Sequence, residues 1–178
     1  MHIANILTSL RIILSPLCIT FIFLDIPYNR TIAFSIYVLA SLTDALDGYC
    51  ARRMNAISDF GKYFDPLADK ILNLSVLISL ALTVNTLWCW PAVIIIAMRE
   101  VAVAFMRRLG NPNGISRAAN NNGKIKTLTQ ILAVSALILD VAIAPYVLWL
   151  AVIVSVYSGI FYMIIWVKGK YEPQREVH

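Results

Sequence analysis

Apolar residues fall in six runs, and the polar residues collect between them or at their ends. The runs lie near residues 5–25, 31–52, 66–86, 91–108, 124–142 and 144–167. A helix rises about 1.5 Å per residue and needs roughly 20 apolar residues to cross a bilayer. The pattern therefore predicts an all-α integral membrane protein of six transmembrane helices, built as one domain over residues 1–178. The apolar start at 12–23 lacks a preceding basic cluster and a following small-residue cleavage site, so it reads as a retained first span.

Composition agrees. Of 178 residues, 60% are hydrophobic and 14% charged, and the mean hydropathy is +0.74. That excludes an ordinary soluble domain, whose elements alternate apolar and polar faces. Arg52, Arg53 and Lys62 fall in the second connection, Arg107, Arg108, Arg117, Lys124 and Lys126 in or beside the fourth, and Lys168, Lys170 and Arg175 in the tail. The first, third and fifth connections hold only Arg30. The positive-inside rule then puts both termini and the second and fourth connections in the cytoplasm. The net charge of +5 is scattered through short loops, which suits anionic headgroups and not nucleic acid. Cys18, Cys50 and Cys89 have neither metal-ligand nor redox spacing.

Chemistry concentrates in one stretch. Asp44, Asp47, Gly48, Ala51 and Arg52 close the second run, and Gly61, Asp65 and Asp69 open the third. Each Asp deep in a membrane helix costs about 2.5–3.5 kcal/mol on insertion scales, so four require neutralising cations. A 100° step per residue puts Asp44, Asp47, Gly48 and Ala51 on one face. Small residues there either let helices approach or leave room for a ligand, and the acids argue against close packing alone. Asp65 before Pro66 is either an N-cap of the third helix or an interior residue of a helix starting near Asp59, while Asp69 has no capping role. Carboxylates are hard oxygen ligands suited to Mg²⁺ or Mn²⁺, and four can hold two ions, the arrangement that clamps both oxygens of a displacement at phosphorus.

Basic residues of the same membrane face could meet phosphates. Arg99 and Glu100 are neighbours that do not face each other on a helix, so each needs a partner elsewhere. Either a salt bridge to other helices or an anion would serve Arg99. Lys124 and Lys126, placed at the start of the fifth span, would oppose the helix dipole unless an anion bound there. Asn5, Thr8 and Arg11 recur every third residue as a polar stripe, which capping and interfacial anchoring could also explain.

The pattern Asp-x2-Asp-Gly-x2-Ala-Arg-x8-Gly-x3-Asp-x3-Asp resembles that of the CDP-alcohol phosphatidyltransferase family, and all eight specified positions match. The stretches at 5–11, 65–70, 99–100 and 123–127 look like members that use glycerol 3-phosphate as acceptor. The resemblance implies six transmembrane helices, a homodimer and a bacterial cytoplasmic (inner) membrane location. It also implies two Mg²⁺ or Mn²⁺ ions held by Asp44, Asp47, Asp65 and Asp69, with Asp69 also the general base. Asn5, Thr8, Gly48, Ala51, Arg52 and Gly61 would accommodate the nucleotide and its diphosphate. The implied reaction passes the phosphatidyl group from CDP-diacylglycerol to glycerol 3-phosphate and releases CMP. An acceptor with its own phosphate needs a basic pocket, for which Arg99, Arg107, Arg117, Lys124 and Lys126 are the candidates. Phosphatidylglycerol, inositol phosphate or serine are rival acceptors. A divalent-cation transporter is the rival of a different class, disfavoured because the far side offers only Asp25 and Asp140.

Overall fold

A computed structural model describes the backbone of residues 2–54, 59–84, 87–109 and 117–171, and the side chains of 10–43, 70–84, 87–106, 109 and 123–167. Among these residues the protein is all-helical. Six helices follow in order: α1 (His2–Phe23), α2 (Asn29–Met54), α3 (Asp59–Val84), α4 (Cys89–Arg108), α5 (Arg117–Ile138) and α6 (Ala144–Tyr171). Each predicted run corresponds to one helix. Two helices start earlier than the apolar pattern: α3 at Asp59 and α5 at Arg117. The reason is that helix continues into polar sequence, where hydropathy carries no signal. Proline acts as a start signal twice, at Pro91 in the first turn of α4 and Pro145 in the first turn of α6, where a missing N–H is no loss.

Within α4 and α6, Cys89–Met106 and Ala144–Val167 are long and apolar enough to cross a membrane. Shorter apolar stretches occupy Leu10–Phe23 and Lys70–Val84. Every helix also presents large apolar side chains outward, among them Ile13, Leu39, Leu82, Met98, Leu128 and Ile153. Inside, the bundle is lined by small residues where helices meet: Ala33, Ala40, Ala81, Ala92, Ala133 and Ala151 are all buried. Small side chains at these contacts let the helix backbones approach closely and gain dispersion contact.

Two hydrogen bonds fix the register of the helices that carry the acids. The Cys18 thiol donates to the Ala33 carbonyl at 3.5 Å between α1 and α2. The Tyr37 hydroxyl donates to Asn73 Oδ1 at 2.6 Å between α2 and α3. In an antiparallel pair, a step toward the start of one helix matches a step toward the end of the other. Thr8 thus lies level with Thr43 and Asn5 with Leu46, while Asp65 lies level with Ala45 and Asp69 with Ser41. At the opposite end, Arg30 pairs with Asp140 at 2.5 Å, joining the start of α2 to the α5–α6 turn.

Candidate active site

The backbone brings the four aspartates together in level, within about 9 Å along the bundle axis at 1.5 Å per residue. Asp44 and Asp47 sit near the end of α2, Asp65 and Asp69 in the first half of α3. The start of α3 at Asp59 puts Asp65 inside the helix and removes its N-cap reading. The side chains of Asp44, Asp47, Asp65, Asp69, Gly48, Ala51, Arg52, Gly61, Asn5, Thr8, Arg107 and Arg117 lie outside the described residues. Among the described residues no group of three potential metal ligands occurs. The Ser41 hydroxyl, three residues before Asp44, is buried with no hydrogen-bond partner among the described residues. Arg11 is 1% exposed, level with Ala40 and next to the level of Asp69, and is engaged within the protein. It is no interfacial anchor, since an anchor would reach toward water.

Beside this end of α3 lies a buried charge cluster centred on Glu100. Lys126 of α5 meets Glu100 Oε1 at 2.5 Å, and Arg99 Nη1 donates to the same oxygen at 2.9 Å. Lys70 of α3 donates to the Glu100 carbonyl at 3.1 Å and lies 3.8 Å from Oε2. The expectation that Arg99 and Glu100 do not meet is corrected: the long Arg stem brings its planar head back across one residue. Both nonetheless find partners on other helices. Arg99 Nε donates to the Ser155 carbonyl at 3.1 Å, and Nη2 donates to Ser158 Oγ at 2.9 Å, both on α6. Gln130 of α5 donates to Ser155 Oγ at 3.4 Å and closes the layer. A polar layer therefore crosses α3, α4, α5 and α6 at the level of Lys70.

The dipole argument for Lys124 and Lys126 also needs correction. They are the eighth and tenth residues of α5 counted from Arg117, beyond the first turn, where the macrodipole no longer acts strongly. Two residues apart, they point about 200° from each other. Lys124 is exposed and Lys126 is buried against Glu100. Arg117 occupies the helix start instead. Sequence reasoning missed Lys70, Gln130, Ser155 and Ser158 as members of the polar layer. A signal existed for Lys70, a cation placed one residue from Asp69, but Ser and Gln in apolar helices carry none.

Paired acids near one end of two adjoining helices, with buried cations alongside, make the residue set of a phosphoryl-transfer enzyme. The family model for CDP-alcohol phosphatidyltransferase matches residues 1–157, and the chain belongs to that family. It is similar to the CDP-diacylglycerol–glycerol-3-phosphate 3-phosphatidyltransferase of Bacillus subtilis, 41% identical over 143 residues, covering 76% of this chain and 73% of the relative. The enzyme of the same name from Rickettsia felis is 33% identical over 171 residues, covering 90% and 93%. That from Haemophilus influenzae is 32% identical over 172 residues, covering 91% of each chain.

The seat of Arg99 yields a prediction. A Cβ at Gly159 would stand 3.0 Å from Arg99 Cγ and 3.3 Å from Nε. Gly159→Val is therefore expected to displace Arg99 from Ser155 and Ser158 and destabilise the bundle by about 1–3 kcal/mol, the usual cost of overpacking. Thermal unfolding of the detergent-purified protein checks this, and an unchanged transition would mean that Arg99 is not seated there.

Proposed function

We propose that this protein transfers the phosphatidyl group of CDP-diacylglycerol to sn-glycerol 3-phosphate, giving phosphatidylglycerophosphate and CMP. The observation that carries the reading is the complete acidic motif on two helices whose registers align, in a chain resembling enzymes of that name along most of its length. The apolar side chains exposed on all six helices support insertion of the whole bundle as six transmembrane helices. Basic residues near the starts of α3 and α5 and the ends of α4 and α6 support a cytoplasmic orientation of the acidic end and both termini, in a bacterial inner membrane. A homodimer belongs to the reading through the family resemblance.

Asp44, Asp47, Asp65 and Asp69 would hold two Mg²⁺ or Mn²⁺ ions. An all-carboxylate donor set suits these hard cations, and the alignment of α2 with α3 is what a shared site requires. Bound there, the metals supply charge neutralisation at the reacting phosphate. Asp69 takes the proton of the glycerol 3-phosphate hydroxyl as its oxygen bonds to the phosphorus attached to diacylglycerol. The bond from that phosphorus to the bridging oxygen breaks, and the electron pair leaves with CMP. Gly48, Ala51 and Gly61 leave space for the nucleotide, while Arg52, Asn5 and Thr8 bind its diphosphate.

We assign the acceptor phosphate to Arg99, Arg107, Arg117, Lys124 and Lys126, with Arg107, Arg117 and Lys124 as the mouth of the pocket and Lys126 reaching it from the buried side of α5. Three of the five N–H groups of Arg99 bond to protein, and the ammonium of Lys126 has donors beyond its contact with Glu100. A phosphorylated acceptor needs such positive charge, whereas serine or a neutral alcohol does not.

The deciding assay is CMP release from CDP-diacylglycerol by the purified protein with a panel of acceptors. Release is expected with glycerol 3-phosphate, lost with EDTA and restored by Mg²⁺ or Mn²⁺; metal-dependent release with a different acceptor would replace the acceptor, and none at all would favour transport. Asp69→Asn is expected to cut turnover at least about a hundredfold, the low end for a lost general base, in a protein that still folds; near-normal turnover would remove Asp69 from that role. Arg117→Ala and Lys124→Ala should each raise KM for glycerol 3-phosphate about tenfold or more, the worth of a charged hydrogen bond, while sparing KM for CDP-diacylglycerol. Unchanged kinetics in both variants would remove Arg117 and Lys124 from the acceptor site.

A further inference from the structure

We infer that Glu100 is a positioning residue for the acceptor: its carboxylate aims the Lys126 ammonium at the acceptor phosphate and ties that part of α5 to α3 beside Asp69. The inference rests on the acceptor pocket proposed above and extends it to a residue of opposite charge. A carboxylate is an unexpected neighbour for a phosphate site, and its geometry explains its presence. Glu100 is 6% exposed and Lys126 7%, so both charges are withdrawn from water. For stability alone such a group is a poor choice, because apolar residues of similar volume do as well or better than a buried ion pair. What the pair adds is direction.

The Lys126 ammonium sits on a flexible four-carbon stem with many rotamers. Its 2.5 Å contact with Glu100 Oε1 selects one. Glu100 is itself held from two further sides, by Arg99 at 2.9 Å and by Lys70, whose Nζ donates to its carbonyl. Arg99 is in turn fixed to α6 through Ser155 and Ser158. One carboxylate thus links the residue that follows Asp69 to a lysine of the basic α5 segment. A cavity of about 20 Å³ adjoins the cluster, its lining mainly apolar but reached by Lys70, Asn73, Glu100, Lys126 and Gln130, with room for about one water-sized group. Glycerol 3-phosphate must present its hydroxyl to Asp69 while its phosphate is held, so the separation of acid and base fixes which acceptor length reacts. Misplacement of either end by about 1 Å is enough to cost about a hundredfold in rate.

The test is a kinetic comparison of Glu100→Gln, Glu100→Asp, Lys126→Gln and the Glu100→Gln/Lys126→Gln double variant, each purified in detergent and checked for folding by its thermal transition. Glu100→Gln is expected to raise KM for glycerol 3-phosphate at least about fivefold while leaving KM for CDP-diacylglycerol within about twofold. Glu100→Asp, which keeps the charge, should recover part of that loss. The double variant should match Lys126→Gln, because Glu100 acts through Lys126. A Glu100→Gln protein that melts earlier but keeps its KM for glycerol 3-phosphate, or a double variant whose losses add, would overturn the proposal. If Glu100→Gln is not recovered folded, the double variant, which loses both charges together, decides by the same comparison. The two readings fail separately. If Arg117→Ala and Lys124→Ala leave KM unchanged while Glu100→Gln raises it, the pocket mouth is wrong and the positioning role stands. The reverse result removes the positioning role alone.

Discussion

A carboxylate inside an apolar bundle is tolerated only while cations reach it, and in this protein they reach Glu100 from three helices. Lys70 comes from α3, Lys126 from α5 and Arg99 from the adjacent position of α4, braced against α6. Removing one partner from such a pair costs about 3–5 kcal/mol, because the other charge is stranded. The arrangement of four helices around one side chain is therefore over-determined. The acidic helix α3 belongs to this layer through Lys70, and to α2 through the Tyr37–Asn73 bond. The acids consequently stand on a backbone fastened on both sides, as a site needing sub-ångström placement requires.

Much of the fold was legible in the residues. Six apolar runs correspond to six helices because continuous apolar sequence of that length offers no polar or turn residues at which a helix would end. The start of α3 at Asp59 was one of the two readings the residues allowed, while that of α5 at Arg117 was not legible, since 117–123 lacks an apolar run and its helicity comes from continuation of the backbone ladder. That difference had chemical consequences. It decided between the two readings of Asp65 in favour of the helix interior, and it moved Lys124 and Lys126 away from the helix start on which a dipole argument depended.

The acidic motif was legible because the spacing of eight specified positions is rarely met by chance. The basic half was less so. Arg99 and Glu100 had opposite charges and unfavourable spacing, and helical geometry alone argued against their meeting. The guanidinium, planar and carried on a long stem, makes the contact that a shorter side chain would not. The two-residue spacing of Lys124 and Lys126 puts them on nearly opposite sides of α5, but which is exposed and which buried was not in it. Alternation in a helix is easily read as proximity, yet two residues apart is nearly the opposite side.

The ends of the bundle differ in how they hold together. The Arg30–Asp140 contact, between the start of α2 and the α5–α6 turn, is more than half exposed on both sides, so dissolved ions compete with it over a Debye length of about 8 Å at physiological salt. The Glu100 layer is shielded from that competition by its burial. Ionic strength therefore acts on this molecule asymmetrically: it loosens the end remote from the acids and leaves the end that carries them nearly unaffected.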